Sequence, residues 1–299
     1  MRVVVLASGS AGNATLFEAG GTRVLVDAGI GPRALAERLA ACGVSGLPDA
    51  VVLTHEHKDH FGQCLRLSRK LKIPIHASEA TARMPALHGR EGVKVFGMRE
   101  PFAIGALTFS PLPLPHDAAQ VALVVEGAGR RAAICTDLGE VPPGLAAHLA
   151  GCHVALIESN HDAEMLRSGP YPGFLKRRIG SARGHLSNAQ ASELLRVLPR
   201  ETHTVVLMHL SRANNRPELA LEVARDALAG RATRLHVAAP CETLVLDASA
   251  PPPPPPPPRR GEQLGLFGTW PSSWRTPESV PQEDRPTGRG ASRCRGPTR

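Results

Sequence analysis

Three histidines and an aspartate fall within six residues, at His55, His57, Asp59 and His60, with Glu56 and Lys58 between them. They follow the apolar run Val51 to Leu53, so the loop that carries them leaves the end of a strand. Imidazole and carboxylate groups are donors that suit Zn, Mn or Fe, and one short loop presenting four of them can serve two adjacent cations. The alternative is a solvated loop that happens to be rich in histidine. Four donors at this spacing, with further His and Asp residues placed after later strand-like runs, argue against it.

Asp27 ends the run Val24 to Val26, His116 lies between Pro115 and Asp117, Asp137 follows Cys135 and Thr136, and His209 stands between Met208 and Leu210. An H-x-H-x-D-H loop after a strand, with these partners in this order, resembles the metallo-β-lactamase fold superfamily over most of residues 1–248. The resemblance implies an α/β (α+β) fold class, a four-layer αββα sandwich with a metal site at its edge. By position it implies His55, His57 and His116 on one metal, Asp59, His60 and His209 on the other, and Asp137 bridging. Asp59 is then both ligand and catalytic residue, while Asp27 sits behind the ligands and orients their loop. The implied cofactors are two divalent metal ions, zinc or manganese, with iron as the further option. Two close cations lower the pKa of a shared water and stabilise charge growing on the attacked group, so the nucleophile would be a metal-bound hydroxide.

A second constellation concerns the leaving group. Glu158 to Asp162 follow an apolar run, and Gly184 to Asn188 precede a helix-like stretch. Their order is similar to ribonuclease Z, which implies that Glu158 and His185 form a pair protonating the leaving oxygen, the carboxylate keeping the imidazole charged. The alternative is that Glu158 caps a loop and His185 the next helix. Together with Gly169 to Pro172 and His209 to Ser211 followed by Asn214 and Asn215, these strings resemble the YycJ (WalJ) family of bacterial nucleases. That resemblance implies a metal-dependent phosphodiester hydrolase, a DNA exonuclease acting in DNA repair or replication. His161 belongs to the shared string and is expected behind the ligands. Ala213 departs from the family, which often has an acid there; only a peripheral contact is affected.

Three rivals stand beside this reading. An RNA-processing nuclease of ribonuclease Z type needs a tRNA-clamping arm, but 20 residues separate His116 from Asp137; the 47 between Asp137 and His185 likewise leave no room for a β-CASP cap. A thioester or lactone hydrolase has little use for the Glu158 and His185 pair, because thiolates and carboxylates leave without strong acid help. A non-catalytic adaptor is disfavoured by the complete ligand set. Between the two leaving-group motifs, Tyr171, the chain's only tyrosine, precedes Phe174, Lys176, Arg177, Arg178 and Arg183. Tyr171, Lys176, Arg177 and Arg178 are candidates to stack a base and grip a phosphate backbone. An ordinary basic helix start with Phe174 in the core is the equal alternative.

Short apolar or β-branched runs predict strands at Arg2 to Leu6, Thr15 to Glu18, Arg23 to Val26, Ala50 to Leu53, Val93 to Phe96, Leu107 to Leu112, Val121 to Val125, Ala132 to Cys135, Val154 to Ile157, Thr204 to Met208 and Arg234 to Ala238. Helices are predicted from Pro32 to Cys42 and over Phe61 to Leu71, Glu79 to Leu87, Asn188 to Leu198 and Pro217 to Ala229. A strand-rich opening followed by β/α alternation fits sheets inside and helices outside. Gly9 to Asn13 does not read as a phosphate loop, because a strand rather than a helix follows; a tight turn is the better reading, with a place at the rim of the site as the alternative.

Composition divides the chain into a hydrolase domain over residues 1–248 and a Pro/Arg-rich tail over 249–299, expected to be disordered. The tail holds eight Arg against four acids, leaving the body 27 basic and 23 acidic residues, a balance that suits nucleic acid without demanding it. Pro251 to Pro258 predict a stiff spacer. Beyond it, Gln263, Leu264, Gly265, Leu266 and Phe267 resemble the peptide by which bacterial DNA enzymes dock onto the sliding clamp, with apolar anchors for a groove. Six scattered cysteines without a C-x-x-C pair indicate neither a disulfide framework nor a zinc knuckle. No apolar stretch approaches the about 20 residues that span a bilayer, so a cytoplasmic protein is expected; the resemblance to the YycJ (WalJ) family implies nucleic acid, DNA before RNA, as partner. The oligomeric state is open.

Overall fold

The structure is a computed structural model that describes residues 1–254; the peptide over residues 263–267 lies outside them. The first half runs β1 (Arg2–Ala7), β2 (Ala14–Ala19), β3 (Thr22–Val26), α1 (Pro32–Ala41), β4 (Ala50–Val52), α2 (Lys58–Phe61), α3 (Cys64–Leu71), β5 (Ile75–Ser78), α4 (Glu79–Ala82) and β6 (Val93–Phe96). The second half runs β7 (Phe102–Ile104), β8 (Leu107–Leu114), β9 (Gln120–Gly127), β10 (Arg130–Cys135), α5 (Leu145–His148), β11 (Val154–Glu158), α6 (Ala163–Ser168), α7 (Gly173–Ile179), α8 (Asn188–Arg196), β12 (Thr204–Met208), α9 (Pro217–Ala227), β13 (Arg234–Val237) and β14 (Leu244–Asp247).

Two seven-stranded sheets result, ordered β14-β1-β2-β3-β4-β5-β6 and β13-β12-β11-β10-β9-β8-β7. Each is half antiparallel and half parallel: β3 to β6 and β10 to β13 run parallel, the rest pair antiparallel. Alternation along the strands builds three apolar layers. Val24, Val26, Leu156, Val206 and Met208 point between the sheets. Leu25 and Val51 meet α1 and α3 on one outer side, and Ala155, Ile157, Val205 and Leu207 meet α8 and α9 on the other. Both faces of the central strands are therefore covered, which is why they read as unbroken apolar runs. This is the expected αββα sandwich.

Several local expectations need correction. The helix from Glu79 stops at Ala82, ahead of Pro85, and the expected helix from Phe61 is two pieces, α2 and α3, parted at Gly62 and Gln63. Added to the predicted strands are β5, β7 and β14, three or four residues each, too short for periodicity to register. The 20 residues between His116 and Asp137 are spent on β9, its turn and β10 within the sheet, so no arm projects there.

Candidate metal centre

Parallel strands of both sheets end at one edge, and the expected metal ligands stand on the segments that leave the strands there, while His185 lies between α7 and α8. Asp27 follows β3, His55 follows β4 by three residues, Asp137 follows β10 by two, Glu158 ends β11, and His209 follows β12 directly. His116 follows β8, which is parallel to β10 because both pair antiparallel with β9. The carboxyl ends of parallel strands are where α/β sheets hold ligands, since the chain leaves the sheet there with free loops. Asp27, Asp137 and His209 have positive φ angles of 61°, 59° and 56°. Asp and His tolerate this left-handed region better than branched residues, but it costs free energy, and such strain concentrates at functional sites.

The donor atoms form four overlapping clusters. Those of His55, His57 and His116 lie within 4.8 Å of one another, as do those of Asp59, His60 and His209; Asp137 clusters with His55 and His60, and also with Glu158, His185 and His209. The Asp137 carboxylate reaches His60 Nε2 at 3.0 Å and His209 Nδ1 at 3.7 Å. One atom tests whether these groups suit a cation. His55 Nε2 is buried without a hydrogen-bond partner, an arrangement costly for a polar atom with nothing to bind. Burial, reinforced by His60, pushes the His55 pKa well below its usual value, leaving the neutral imidazole that a metal requires. Burial opposes charge on His209 too, yet Asp137, Asp59 and Glu158 raise its pKa to about 10. A field that draws positive charge so strongly, over nitrogen and oxygen donors, fits divalent metal ions.

The supports are specific. Asp27 accepts hydrogen bonds from the Thr54 backbone N–H (2.9 Å) and, through its other oxygen, from His60 Nδ1 (2.7 Å), fixing the loop and the ring together. His116 Nδ1 lies 3.0 Å from the Gly184 carbonyl. Asn160 Nδ2 donates to the His209 carbonyl at 2.8 Å. The Asn13 backbone N–H donates to the Asp59 carbonyl (2.7 Å), while its side-chain amide contacts Asp59 Oδ2 (3.2 Å) and His60 Nε2 (2.9 Å). A Cβ at Gly29 would strike the Asp59 carbonyl and the Asn13 nitrogen, so only glycine lets these segments meet.

Beside the clusters, His185 Nδ1 lies 2.8 Å from Glu158 Oε1. The other Glu158 oxygen accepts from the backbone N–H groups of Leu138 (3.2 Å) and Leu186 (3.1 Å). Burial works to raise the Glu158 pKa, but the His185 charge and hydrogen bond outweigh it and bring it to about 2. The whole group opens into a cavity of about 330 Å³ bordered by His57, Asp59, His116, Asp137, His185 and His209, with Ser10, Tyr171, Leu175 and Arg178 around them.

The family model for the Beta-lactamase superfamily domain matches residues 22–210. Exodeoxyribonuclease YycJ of Bacillus anthracis is 35% identical over 224 residues, covering 72% of this chain and 84% of the relative. The chain belongs to the YycJ/WalJ family of the metallo-β-lactamase superfamily. Exodeoxyribonuclease WalJ of Streptococcus pneumoniae serotype 2 is 34% identical over 228 residues, again covering 72% and 84%. The crystal structure of the metallo-β-lactamase fold protein YhfI from Bacillus subtilis matches the fold with a TM-score of 0.64 at 19% identity, covering 82% of this chain and 99% of that one.

In this member of the YycJ/WalJ family the structure brings together His55, His57, Asp59, His60, His116, Asp137, Glu158, His185 and His209, with Asp27 behind them. His161 is buried nearby; burial lowers its pKa to about 4. Tyr171 and Arg178 border the cavity, Arg178 reaching Asp117 through two nitrogens at 2.7 and 2.6 Å. Lys176 and Arg177 do not: one helical step of about 100° per residue turns them to the other side of α7. Phe174 is 68% exposed, which removes the core role given to it by the ordinary-helix reading. Sequence reasoning gave Gly9 to Asn13 a place at the rim only as the alternative, which Ser10 and Asn13 now fill, and it missed Asp117. The polar Asn13 closing a glycine-rich turn was the available signal for that place, and adjacency to His116 for Asp117.

Asp27→Ala leaves the His60 ring and the Thr54 amide without their buried acceptor. We expect a loss of about 2–4 kcal/mol, read as a lower Tm in thermal denaturation, with Asp27→Asn recovering part of it. An unchanged Tm in Asp27→Ala would show that the loop is anchored elsewhere.

Proposed function

We propose that the chain is a nuclease that hydrolyses phosphodiester bonds of DNA from an end, in the cytoplasm, in the service of repair or replication. The observation that carries this reading is Asp137 within ligand distance of His55 from one donor triad and His60 from the other, with the Glu158 and His185 pair beside it at the same cavity. The names of the YycJ and WalJ relatives, both exodeoxyribonucleases, support the substrate class. In this reading His55, His57 and His116 hold one divalent ion, Asp59, His60 and His209 the other, and Asp137 both, the metals being zinc, manganese or iron. When bound, such ions supply Lewis acidity and ionise a water at neutral pH.

The chain's own groups supply the rest. Glu158, held by two backbone N–H groups, orients His185 through Nδ1 and favours its charged form, so that Nε2 is left as the proton donor to the departing oxygen. An alkoxide leaving from a sugar carbon needs that proton, whereas a thiolate does not, which favours phosphodiesters over thioesters. Arg178 at the cavity edge offers a guanidinium to a phosphate oxygen, and Tyr171 a ring to a base.

End-labelled single- and double-stranded DNA and RNA, incubated with Zn or Mn, test the reading. The intact protein should shorten DNA from an end, Asp59→Ala should abolish cleavage, and His185→Ala should lower kcat by about 100-fold or more with metal content retained. Full activity in His185→Ala would refute the proton-donor assignment, and turnover confined to RNA would refute the DNA preference.

We further propose that Gln263, Leu264, Leu266 and Phe267, in the tail that follows the domain, dock onto the bacterial sliding clamp. The support is the sequence Gln-Leu-Gly-Leu-Phe itself. In a pull-down with purified clamp, the double variant Leu266→Ala/Phe267→Ala should lose capture. Capture at the unmodified level would dispose of the idea.

A further inference from the structure

α7 has two differently used sides. At about 100° per residue, Leu175, Arg178 and Ile179 share the side that borders the metal cavity. Gly173, Lys176, Arg177 and Gly180 share the opposite side, and there they border a second hollow of about 500 Å³. Phe174 falls on the crest between the two, and at 68% it is the most exposed large apolar side chain among the described residues.

The second hollow is mostly apolar in its lining but carries cationic side chains at its rim. Ser187 and Gln190, from the first turn of the nine-residue helix α8, border it, and their capping box already satisfies two of the helix's first N–H groups. His161 also borders it; the residue is only 4% exposed, and its Nδ1 has no hydrogen-bond partner. That nitrogen is itself buried, so His161 contributes a polar wall to the hollow and not an open contact. The charges around it are unequal. Arg167 is spent on Glu164, at 2.8 and 2.6 Å, and Asp162 caps α6 by accepting from the Met165 amide. Lys176 donates to the Arg167 carbonyl at 2.8 Å, and neither Lys176 nor Arg177 has a carboxylate partner among the described residues. Two cations without a carboxylate partner, side by side at the rim of this hollow, fit a phosphate group.

We propose that this hollow is a second phosphate subsite for the substrate strand. A single strand leaving the metal cavity crosses α7 with a base against Phe174 and sets a backbone phosphate between Lys176, Arg177 and the start of α8. A helix is about 10–12 Å across with its side chains, a width that a few nucleotides bridge. The proposal rests on the nuclease reading of the neighbouring cavity, because it takes the strand to be continuous between the two.

The test is binding of a fluorescent, hydrolysis-resistant phosphorothioate octadeoxynucleotide to the metal-loaded full chain, followed by anisotropy across a range of salt. Lys176→Gln/Arg177→Gln should raise Kd about tenfold and flatten the log Kd against log salt slope by about 1–2. Phe174→Ala should raise Kd about tenfold, with Phe174→Trp restoring it. The control pair Arg196→Gln/Arg200→Gln, at the opposite end of α8, removes equal charge and should stay within about twofold. Equal loss in the control, wild-type affinity in Lys176→Gln/Arg177→Gln, or wild-type affinity in Phe174→Ala would overturn the subsite. The expected binding pattern in a protein that leaves unmodified DNA uncut would instead sink the nuclease reading and keep the subsite.

Discussion

Carboxylates buried together repel one another and lose their hydration, and the centre of this molecule is organised by how that cost is met. Asp27, Asp137 and Glu158 are buried within hydrogen-bond reach of one histidine cluster, with Asp59 at its edge. Among the described residues no lysine or arginine pairs with Asp59, Asp137 or Glu158; their ion-pair partners are imidazoles. A set of anionic oxygens balanced only by groups that can also give up their protons is a site made for multivalent cations. The fold serves this balance: two sheets end their parallel strands at one edge, and three residues there accept left-handed backbone so that their side chains turn inward.

The same edge solves a positioning problem. Groups from β4, β8, β10, β11 and β12 must converge within a few ångströms, and strands packed on both faces hold their ends far more rigidly than free loops would. The loops themselves are then tied to one another. Asp27 links β3 to the histidine loop, Asn160 links β11 to β12, and Asn13 links the first turn to Asp59, with Gly29 allowing that approach.

Much of this is written in residue types. The histidine loop, Asp27, His116, Asp137 and His209 stand out because donors of this kind at strand ends have few other uses, and their order along the chain carries the resemblance to the family. What sequence conceals is direction. Lys176, Arg177 and Arg178 are neighbours in the chain but diverge around α7, and a lone Phe174 gives no sign of whether it faces core or solvent. The contact that Asn13 makes was hidden for another reason: Gly9 to Asn13 has every property of a simple turn, and the Asn13 amide gains meaning only from Asp59, 46 positions away. The short strands β5, β7 and β14 exist because neighbouring strands offer them partners, which no local pattern encodes.

The most direct test of the cation-centred site is the metal content of the purified protein, measured by inductively coupled plasma mass spectrometry alongside Asp137→Ala. We expect about two equivalents of zinc, manganese or iron per chain in the unmodified protein and a clear deficit in the variant. Protein that carries no transition metal after growth in metal-replete medium, or a variant that retains the full complement, would contradict it.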